Sequence, residues 1–421
     1  MKDATLALHL GYEKDNQKAM QVPIYMTTAY EYESTEHAAR LFNLEETGNI
    51  YTRLDNPTTR VFEKRIAALE RGIGAVATAS GMAAVFYSLT NLVQSGDNII
   101  ISNKLYGGSI TLSTHTLNKF GIKAKFFDVH NPEMLEDMID EGTKAILIES
   151  VSNPALAVPD FEGIAKVAKE RGVILICDNT IATPYGVKPL TLGCDIVLHS
   201  SSKYIVGNGS AIGGVIIEGK SAKEKLSSYR YPQFNEPDES YHGLVYNKKF
   251  ETPFTARARL ALLRDFGAVM SPFNAWLMIL GLEHLHLRIK AHSENAFEIA
   301  KFLQSQENIK KVNYPFLEDD INYKYAKKYL KYAGGIVSFV VESYEKAKNI
   351  ANSLEIFSLV TNIGDSKSIV THPASTTHQQ LNKEELIKAG VDEGLIRLSI
   401  GLEDVEDLIN DLKEALNEKK D

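Results

Sequence analysis

Short aliphatic runs alternate with longer helical patterns between residues 60 and 220 or so. Most of these runs are continuous stretches of Ile, Val and Leu, which is typical of strands buried on both faces of a parallel sheet. The pattern therefore predicts an α/β fold in which helices cover both faces of a mostly parallel sheet. The predicted strands are residues 98–101, 123–127, 145–148, 173–177, 195–198 and 213–217.

The rest of the chain has a different pattern. A long helical period at 272–303 leads to a smaller α/β region with strands near 335–341 and 395–400. Residues 1–45 lack a strong helical period and predict an extended arm. Residues 228–259, rich in Tyr, Pro, Asn and charge, predict a long surface insertion. We therefore expect an arm (1–45), a large domain (46–285) that contains the insertion, and a C-terminal domain (286–421).

Composition narrows the function classes. The chain has 421 residues, 44% of them apolar, so it can bury a large core and form two domains, with three less expected. Its formal net charge of −8 argues against binding to nucleic acid or to an anionic membrane. The two cysteines, Cys177 and Cys194, lie in or beside predicted buried strands and lack metal-ligand spacing. They predict reduced thiols and a cytoplasmic protein.

Two predicted strands end in polar residues that suit a cofactor site. The run at 173–177 ends in Asp178, and the run at 195–198 leads through a cluster of serines into Lys203. An aspartate at such a strand end can keep the pyridine nitrogen of pyridoxal phosphate (PLP) protonated, and a lysine can carry the cofactor as a Schiff base. Taken alone, the same residues fit equally well a structural carboxylate and a solvated or ion-paired loop lysine.

The segment 74–86 predicts a third part of such a site. It runs into Ser80-Gly81, and a helix that starts with small residues follows. The first turn of a helix leaves backbone N–H groups unpaired at the positive end of its dipole, where a phosphate can bind. A lone Ser-Gly is more often an ordinary helix N-cap. The order along the chain of phosphate turn, tyrosine, aspartate and lysine favours the phosphate site.

Seven blocks of residues occur along the chain in this order: Tyr51-Thr52-Arg53 with Asn56-Pro57-Thr58; Ser80-Gly81-Met82-Ala83-Ala84; Tyr106-Gly107-Gly108; Glu149 with Asn153-Pro154; Asp178-Asn179-Thr180; His199-Ser200-Ser201-Ser202-Lys203-Tyr204; and Arg397-Leu398-Ser399-Ile400-Gly401. In this order they resemble the Cys/Met-metabolism family of PLP enzymes over nearly the whole chain. The resemblance implies the aspartate-aminotransferase-like fold (fold type I), with a PLP-binding large domain and a smaller C-terminal α/β domain.

The resemblance also implies residue roles. Lys203 would bind the cofactor and shuttle protons, and Asp178 would pair with the pyridine nitrogen. Tyr106 would stack on the ring, and as a catalytic and substrate-binding residue it would also help to protonate the leaving group. Arg397 would bind the substrate α-carboxylate, with Asn362 beside it. A core tyrosine and a surface salt bridge are the alternatives for Tyr106 and Arg397. The remaining cofactor contacts would be Ser80, Gly81, Met82, Asn153, Thr180, Ser200 and Ser202. No histidine or cysteine cluster predicts a metal.

A further pair, Tyr51 and Arg53, precedes the sheet in the sequence. In the resembled family this pair reaches the phosphate of the neighbouring subunit, which implies a homo-oligomer: a dimer that shares its sites, and a tetramer built as a dimer of dimers. The N-terminal arm would contact the neighbouring subunit. A solvated loop is the alternative for both residues.

Within the family, the segments 229–243, 263–267 and 362–368 resemble those of the O-acetylhomoserine sulfhydrylases. Gly108 stands where a methionine lyase would usually carry cysteine. The resemblance implies a γ-replacement in which O-acetyl-L-homoserine and a sulfur donor give homocysteine and acetate, in methionine biosynthesis. A cystathionine or methionine γ-lyase, and a cystathionine γ-synthase, are the alternatives. We expect the insertion to form a lid whose acidic residues, including Glu236, Asp238 and Glu239, disfavour a succinyl ester.

Overall fold

Two β-sheets organise the chain in a computed structural model that describes residues 1–376 and 392–417. The predicted C-terminal domain also includes residues 377–391 and 418–421, which lie outside the described residues. The strands of the larger sheet are β1 (Gly74–Thr78), β2 (Asn98–Ser102), β3 (Lys123–Phe127), β4 (Thr143–Glu149), β5 (Ile174–Asp178), β6 (Ile196–His199) and β7 (Gly214–Glu218). The strands of the smaller sheet are β8 (Lys311–Asn313), β9 (Ile336–Val340), β10 (Ser358–Leu359), β11 (Ile369–Thr371) and β12 (Leu395–Ser399).

Helices cover these sheets. The α-helices are α1 (Asp3–His9), α2 (Thr35–Phe42), α3 (Pro57–Glu70), α4 (Gly81–Thr90), α5 (Gly107–Thr111), α6 (Met134–Met138), α7 (Phe161–Glu170), α8 (Thr183–Gly186), α9 (Ala222–Leu226), α10 (Pro232–Asn235), α11 (Tyr246–Lys249), α12 (Pro253–Arg257), α13 (Arg264–Phe266), α14 (Pro272–Gln304), α15 (Tyr323–Tyr329), α16 (Tyr344–Ser353) and α17 (Val405–Asn417). Within the described ranges, no helix is both long and apolar enough to cross a membrane.

The larger sheet has the order β1-β7-β6-β5-β4-β2-β3. Strands β6, β5, β4, β2 and β3 run parallel to one another, whereas β7 is antiparallel to both β6 and β1. Two separate apolar clusters cover the two faces of the sheet. The prediction of a mostly parallel sheet with helices on both faces is confirmed, and each predicted strand overlaps an observed one.

One long helix connects the larger sheet to the smaller one. Helix α14 begins at Pro272, a position in the first turn where proline costs no hydrogen bond, and it ends at Gln304. The predicted boundary between residues 285 and 286 therefore falls inside a continuous helix. The division of the chain into an arm and two domains stays a prediction.

The prediction of an extended arm is wrong for residues 3–9 and 35–42, which form α1 and α2. Ala7 of α1 is fully buried, and Arg65 of α3 donates hydrogen bonds to the carbonyls of Leu8 and Leu10. Asp3 pairs with Arg71 of the same chain at 2.6 Å. These contacts stabilise a helix that is too short to show a clear period in the sequence.

The prediction of a surface insertion is correct for residues 236–243, most of which are exposed, but wrong for the aromatic residues on either side of them. The predicted lid is wrong for the cavity of this chain, because no residue of segment 228–259 lines it. Tyr231, Phe234 and other aromatic residues of segment 228–259 are fully buried against the sheet. The Tyr231 hydroxyl donates to the carbonyl of Lys144 at 2.8 Å and accepts from the N–H of Ile174 at 2.9 Å. These backbone groups lie at the amino ends of β4 and β5, whereas the candidate site lies at the carboxyl ends. The buried aromatic residues therefore fill the core, whereas Tyr229 is 87% exposed.

Candidate active site

A cavity of about 560 Å³ opens at the carboxyl ends of β4, β5 and β6. It lies where ligands bind in open α/β sheets. The structure brings twelve of the fourteen predicted site residues into its lining: Ser80, Gly81, Met82, Tyr106, Asn153, Asp178, Thr180, Ser200, Ser202, Lys203, Asn362 and Arg397. Tyr51 and Arg53 do not line the cavity of this chain.

The Ser80-Gly81 turn forms one wall of the cavity. Ser80 is the N-cap of α4, and its hydroxyl accepts a hydrogen bond from the N–H of Ala83. A Cβ at position 81 would lie 2.5 Å from Cβ of Ser200, so only glycine lets these two segments approach so closely. Ser80 is thus an ordinary N-cap, and Gly81 and Met82 in the first turn of α4 line the cavity together with Ser200. The N–H groups of a first helical turn are suited to bind an anion.

Ser202 is more constrained than the sequence indicated. Its hydroxyl donates to the carbonyl of Gly213 at 3.1 Å and accepts from the N–H of the same residue at 2.9 Å. The hydroxyl proton of Ser202 is therefore already used within the loop, whereas Ser200 makes no such side-chain bond among the described residues.

Asp178 and Glu149 end adjacent parallel strands and face each other in register. Oδ1 of Asp178 accepts two hydrogen bonds from Thr180, from the hydroxyl at 2.5 Å and from the N–H at 2.9 Å. Burial raises the pKa of Asp178, although these bonds and the charge of His199 lower it in part. Burial, together with the charge of Asp178, raises the pKa of Glu149 well above its usual range.

Glu149 holds two neighbouring segments of the site in place. Its Oε1 accepts from the N–H of Tyr106 at 2.7 Å, and its Oε2 accepts from the N–H of Asn153 at 3.2 Å. The Tyr106 ring has space because residue 108 is glycine: a Cβ there would lie 2.5 Å from Cε1 of the ring. A cysteine at position 108 is incompatible with this position of the ring.

Lys203 and Arg397 both form a hydrogen bond to Asn362, another predicted substrate-binding residue. Nζ of Lys203 donates to Oδ1 of Asn362 at 2.5 Å, and the carbonyl of Asn362 accepts from Arg397 at 3.1 Å. Burial lowers the pKa of Lys203, and the charge of Arg397 lowers it further. Both effects favour the neutral amine that a base requires.

Arg397 is buried without a carboxylate partner among the described residues. One terminal nitrogen donates to Oδ1 of Asn153 at 3.0 Å, and the other donates to Thr371 at 3.1 Å as well as to Asn362. Its Nε is buried and has no hydrogen-bond partner in the part of the chain that the structure describes. Burial lowers the pKa of Arg397 to about 10. The surface salt bridge considered as the alternative for Arg397 is therefore wrong.

Tyr51 and Arg53 lie outside this cavity. Arg53 donates to the carbonyl of Arg264 at 3.0 Å, and its guanidinium lies 5.4 Å from the centre of the Tyr51 ring. Tyr51 is 41% exposed. The pair is thus accessible on the chain's surface.

Several cavity residues were not identified from the sequence, among them Ser109, Thr361 and Thr376. Ser109 lies in α5, three residues after Tyr106, which is the N-cap of that helix. The acceptor Thr371 is the cross-strand neighbour of Arg397 in the pairing of β11 with β12. Such a partner can be found only when the strand register is known.

The cavity fits PLP on three counts. The α4 turn and Ser200 offer unpaired donors for a phosphate. Oδ2 of Asp178 makes no hydrogen bond among the described residues, so it is available to a ring N–H, and Lys203 lies in the same cavity. Asn153 directs its carboxamide oxygen to Arg397, which leaves its NH₂ group to donate to the cofactor's phenolic oxygen.

Comparisons with known proteins agree with this geometry. An O-acetyl-L-homoserine sulfhydrylase from Leptospira meyeri is 48% identical over 99% of this chain and 96% of its own length. A homocysteine synthase from Schizosaccharomyces pombe is 45% identical over 98% and 97%. A Campylobacter jejuni crystal structure, assigned as an O-acetylhomoserine (thiol)-lyase, contains an N'-pyridoxyl-lysine-5'-monophosphate. It is 49% identical, with a TM-score of 0.98 over 99% of this chain and 100% of its own.

Residues 4–417 match the family of Cys/Met metabolism PLP-dependent enzymes. The matched range includes both sheets and the cavity. The relatives share more than 40% identity with nearly the whole chain. The family match agrees with the cavity, in which Lys203, Asp178 and the Ser80-Gly81 turn lie together. The chain belongs to the Cys/Met metabolism family of PLP-dependent enzymes.

Proposed function

We propose that this protein catalyses a γ-replacement in which O-acetyl-L-homoserine and sulfide, or another small sulfur donor, give L-homocysteine and acetate. The reaction would supply the sulfur-containing precursor of methionine. The observation that supports it most is the convergence of Lys203, Asp178 and the partnerless Nε of Arg397 on one cavity. The names of the relatives support the same substrate.

Bound PLP supplies a protonated ring that withdraws electrons from the substrate's α-carbon. The chain's own residues then handle position and protons. Arg397 holds the α-carboxylate, which places the α-carbon beside Lys203 because both residues meet at Asn362. Nζ of Lys203 would accept the proton from the α-carbon and release it to the bound cofactor before it accepts one from the β-carbon, and it would return both protons after the sulfur nucleophile has replaced acetate. The Tyr106 phenol would donate a hydrogen bond to the departing acetate.

The charges that line the cavity support the acetyl ester. Lys203 and Arg397 are the cations among the described lining residues, and both already have roles, whereas Glu149 and Asp178 are acidic. The second carboxylate of a succinyl ester would find no further cation among the described lining residues and would face like charge. The acidic residues of segment 228–259, including Glu236, Asp238 and Glu239, do not line this cavity and therefore do not act on the ester.

We expect kcat/KM for O-acetylhomoserine to exceed that for O-succinylhomoserine at least about tenfold, because an unpaired charge in a desolvated site costs several kcal/mol. Steady-state assays of both esters with sulfide test this. The exposed Glu239→Gln variant is the matched control, since it removes an acidic residue far from the cavity and should leave the ratio unchanged. Equal use of both esters would contradict the assignment of the ester.

We also propose a homo-oligomer, with a dimer as the unit that shares its sites and two dimers forming a tetramer. The exposed positions of Tyr51 and Arg53, outside their own chain's cavity, support contacts to the phosphate site of a neighbour. Two unpaired buried thiols, Cys177 and Cys194, support a cytoplasmic location.

Subunit mixing tests the shared site. Lys203→Ala and Arg53→Ala proteins should each be inactive, and their mixture should recover about a quarter of wild-type activity, because half of the random pairs are hybrids with one intact site. The control mixture pairs Lys203→Ala with Asp178→Asn and should stay inactive, since both residues belong to the same subunit's site. If the first mixture also stays inactive while mass spectrometry shows exchange, the sharing is refuted.

A further inference from the structure

The side chains of one glutamate and one histidine are fully buried on a face of the larger sheet, near Asp178 but outside the cavity. Glu70, the last residue of α3, and His199, the last residue of β6, are each 0% exposed. Nε2 of His199 donates to Oε1 of Glu70 at 2.7 Å. Burying a carboxylate is costly unless it is paired and hydrogen-bonded, so this contact requires a function or a strong structural reason.

The carboxylate of Glu70 binds both neighbouring strand ends. The same Oε1 accepts from Nδ2 of Asn179 at 2.7 Å, and Asn179 directly follows Asp178. The N–H of Asn179 donates in turn to the carbonyl of Leu198, the residue before His199. Glu70 thus connects the exit of β5, which carries Asp178, to the exit of β6, which leads to Lys203.

The pair lies on the opposite face of the sheet from the cavity. Cys177 belongs to the apolar cluster on that face, and side chains alternate along a strand, so Asp178 points to the cavity side. The charge of His199 nevertheless reaches Asp178, since it lowers the pKa of that carboxyl against the effect of burial. Burial is the largest effect that raises the pKa of the Cys177 thiol, and the charges of Asp178 and Glu70 add to it.

The balance of charge around Asp178 explains why such a pair would be needed. Glu149, on the neighbouring strand, is a second carboxyl in register with Asp178. Two buried carboxyls in proximity disfavour each other's ionised forms. Among the described residues, no lysine or arginine pairs with Glu70, whose Oε1 has His199 and Asn179 as its hydrogen-bond partners. A carboxylate at hydrogen-bond distance stabilises an imidazolium, and a positive charge at position 199 would favour the ionised form of Asp178.

We propose that Glu70 and His199 are positioning residues whose buried charge pair keeps the Asp178 carboxyl ionised, so that Asp178 can hold the PLP ring nitrogen in its protonated form. This inference rests on the proposed function, because it assigns Asp178 to the ring nitrogen. It adds an electrostatic role, exerted through the sheet, for two residues that touch neither cofactor nor substrate.

A labelled cofactor tests the proposal in the holoenzyme. The protein is reconstituted with PLP that carries ¹⁵N in the ring, and the ring-nitrogen resonance is followed against pH by NMR. Glu70→Gln and His199→Gln, which keep hydrogen-bonding groups but remove charge, should each lower the midpoint of ring-nitrogen deprotonation by about one unit, a tenfold change. Asp178→Asn should lower it most.

The matched control is Glu218→Gln. Glu218 is also fully buried and accepts hydrogen bonds from Phe254 and Thr255. It pairs with Ile196 at the amino end of β6, whereas Asp178 lies at the carboxyl end of β5. This variant should lose stability without any change in the ring-nitrogen midpoint. If the Glu70 and His199 variants fold, bind PLP and keep the wild-type midpoint, the pair is only structural and the proposal is overturned.

Neutron diffraction from wild-type holoenzyme crystals gives an answer even where a variant fails to fold. The proposal expects deuterons on both ring nitrogens of His199 and none on Glu70, and a neutral His199 would overturn it. The two inferences also fail differently. If the wild-type protein bound no PLP, the proposed function would be refuted. If the variants at Glu70 and His199 kept the wild-type midpoint of ring-nitrogen deprotonation, only this inference would be refuted.

Discussion

The Lys203→Ala protein is expected to fold normally and to lose at least about 10²-fold in turnover. Lys203 makes one side-chain hydrogen bond, to Asn362, so its removal should cost little stability. Its amine is the group placed to bind the cofactor and to move protons, and positioned acid–base catalysis alone contributes roughly 10²–10⁴-fold. Product formation in a coupled assay, together with a thermal unfolding curve, measures both parts of the prediction.

A lysine from the same neighbourhood serves as the control. Lys367 is exposed and lies in the loop that carries Asn362, so Lys367→Ala should keep wild-type turnover. Retention of more than roughly a hundredth of wild-type activity in Lys203→Ala would show that another residue performs the proton transfers.

Replacing Arg397 should raise KM for every amino-acid substrate. In Arg397→Met we expect an increase on the order of 10²-fold, because removing one partner of a buried, hydrogen-bonded charge pair costs about 2–5 kcal/mol. Arg397→Lys should fall between this variant and wild type, since it keeps the charge but loses the forked geometry. Steady-state kinetics with several homoserine esters would show the increase as common to all of them.

The Thr371→Val variant separates the carboxylate contact from the support of the guanidinium. It removes one acceptor of Arg397 but leaves the bonds to Asn153 and Asn362. A several-fold rise in KM is expected, well below that of Arg397→Met. If Arg397→Met kept the wild-type KM, the partnerless Nε would not be the site of the α-carboxylate.

The sheet was predictable because its strands carry a strong local signal. β2, β4, β5 and β6 are continuous aliphatic runs, and the runs predicted from the sequence overlap each of them. The start of α14 was also predictable, because Pro272 fits the first turn of a helix. Local patterns of this kind depend on the burial of both faces and need no knowledge of distant contacts.

The errors came from contacts that no local pattern encodes. Tyr231 and Phe234 look the same in sequence whether they form a lid or fill a core, and their burial depends on where the segment meets β4 and β5. The contact between Lys203 and Asn362 joins residues 159 positions apart. Family resemblance located both residues, but only the fold shows that they form one hydrogen bond.

The most direct test of the proposed reaction is a product balance for the purified enzyme with O-acetylhomoserine and sulfide. The proposed γ-replacement predicts acetate and homocysteine in equal amounts, with no 2-oxo acid or ammonia above the background of the Lys203→Ala protein. Formation of a 2-oxo acid and ammonia in place of homocysteine would contradict the proposed reaction, and would show that this cavity performs an elimination.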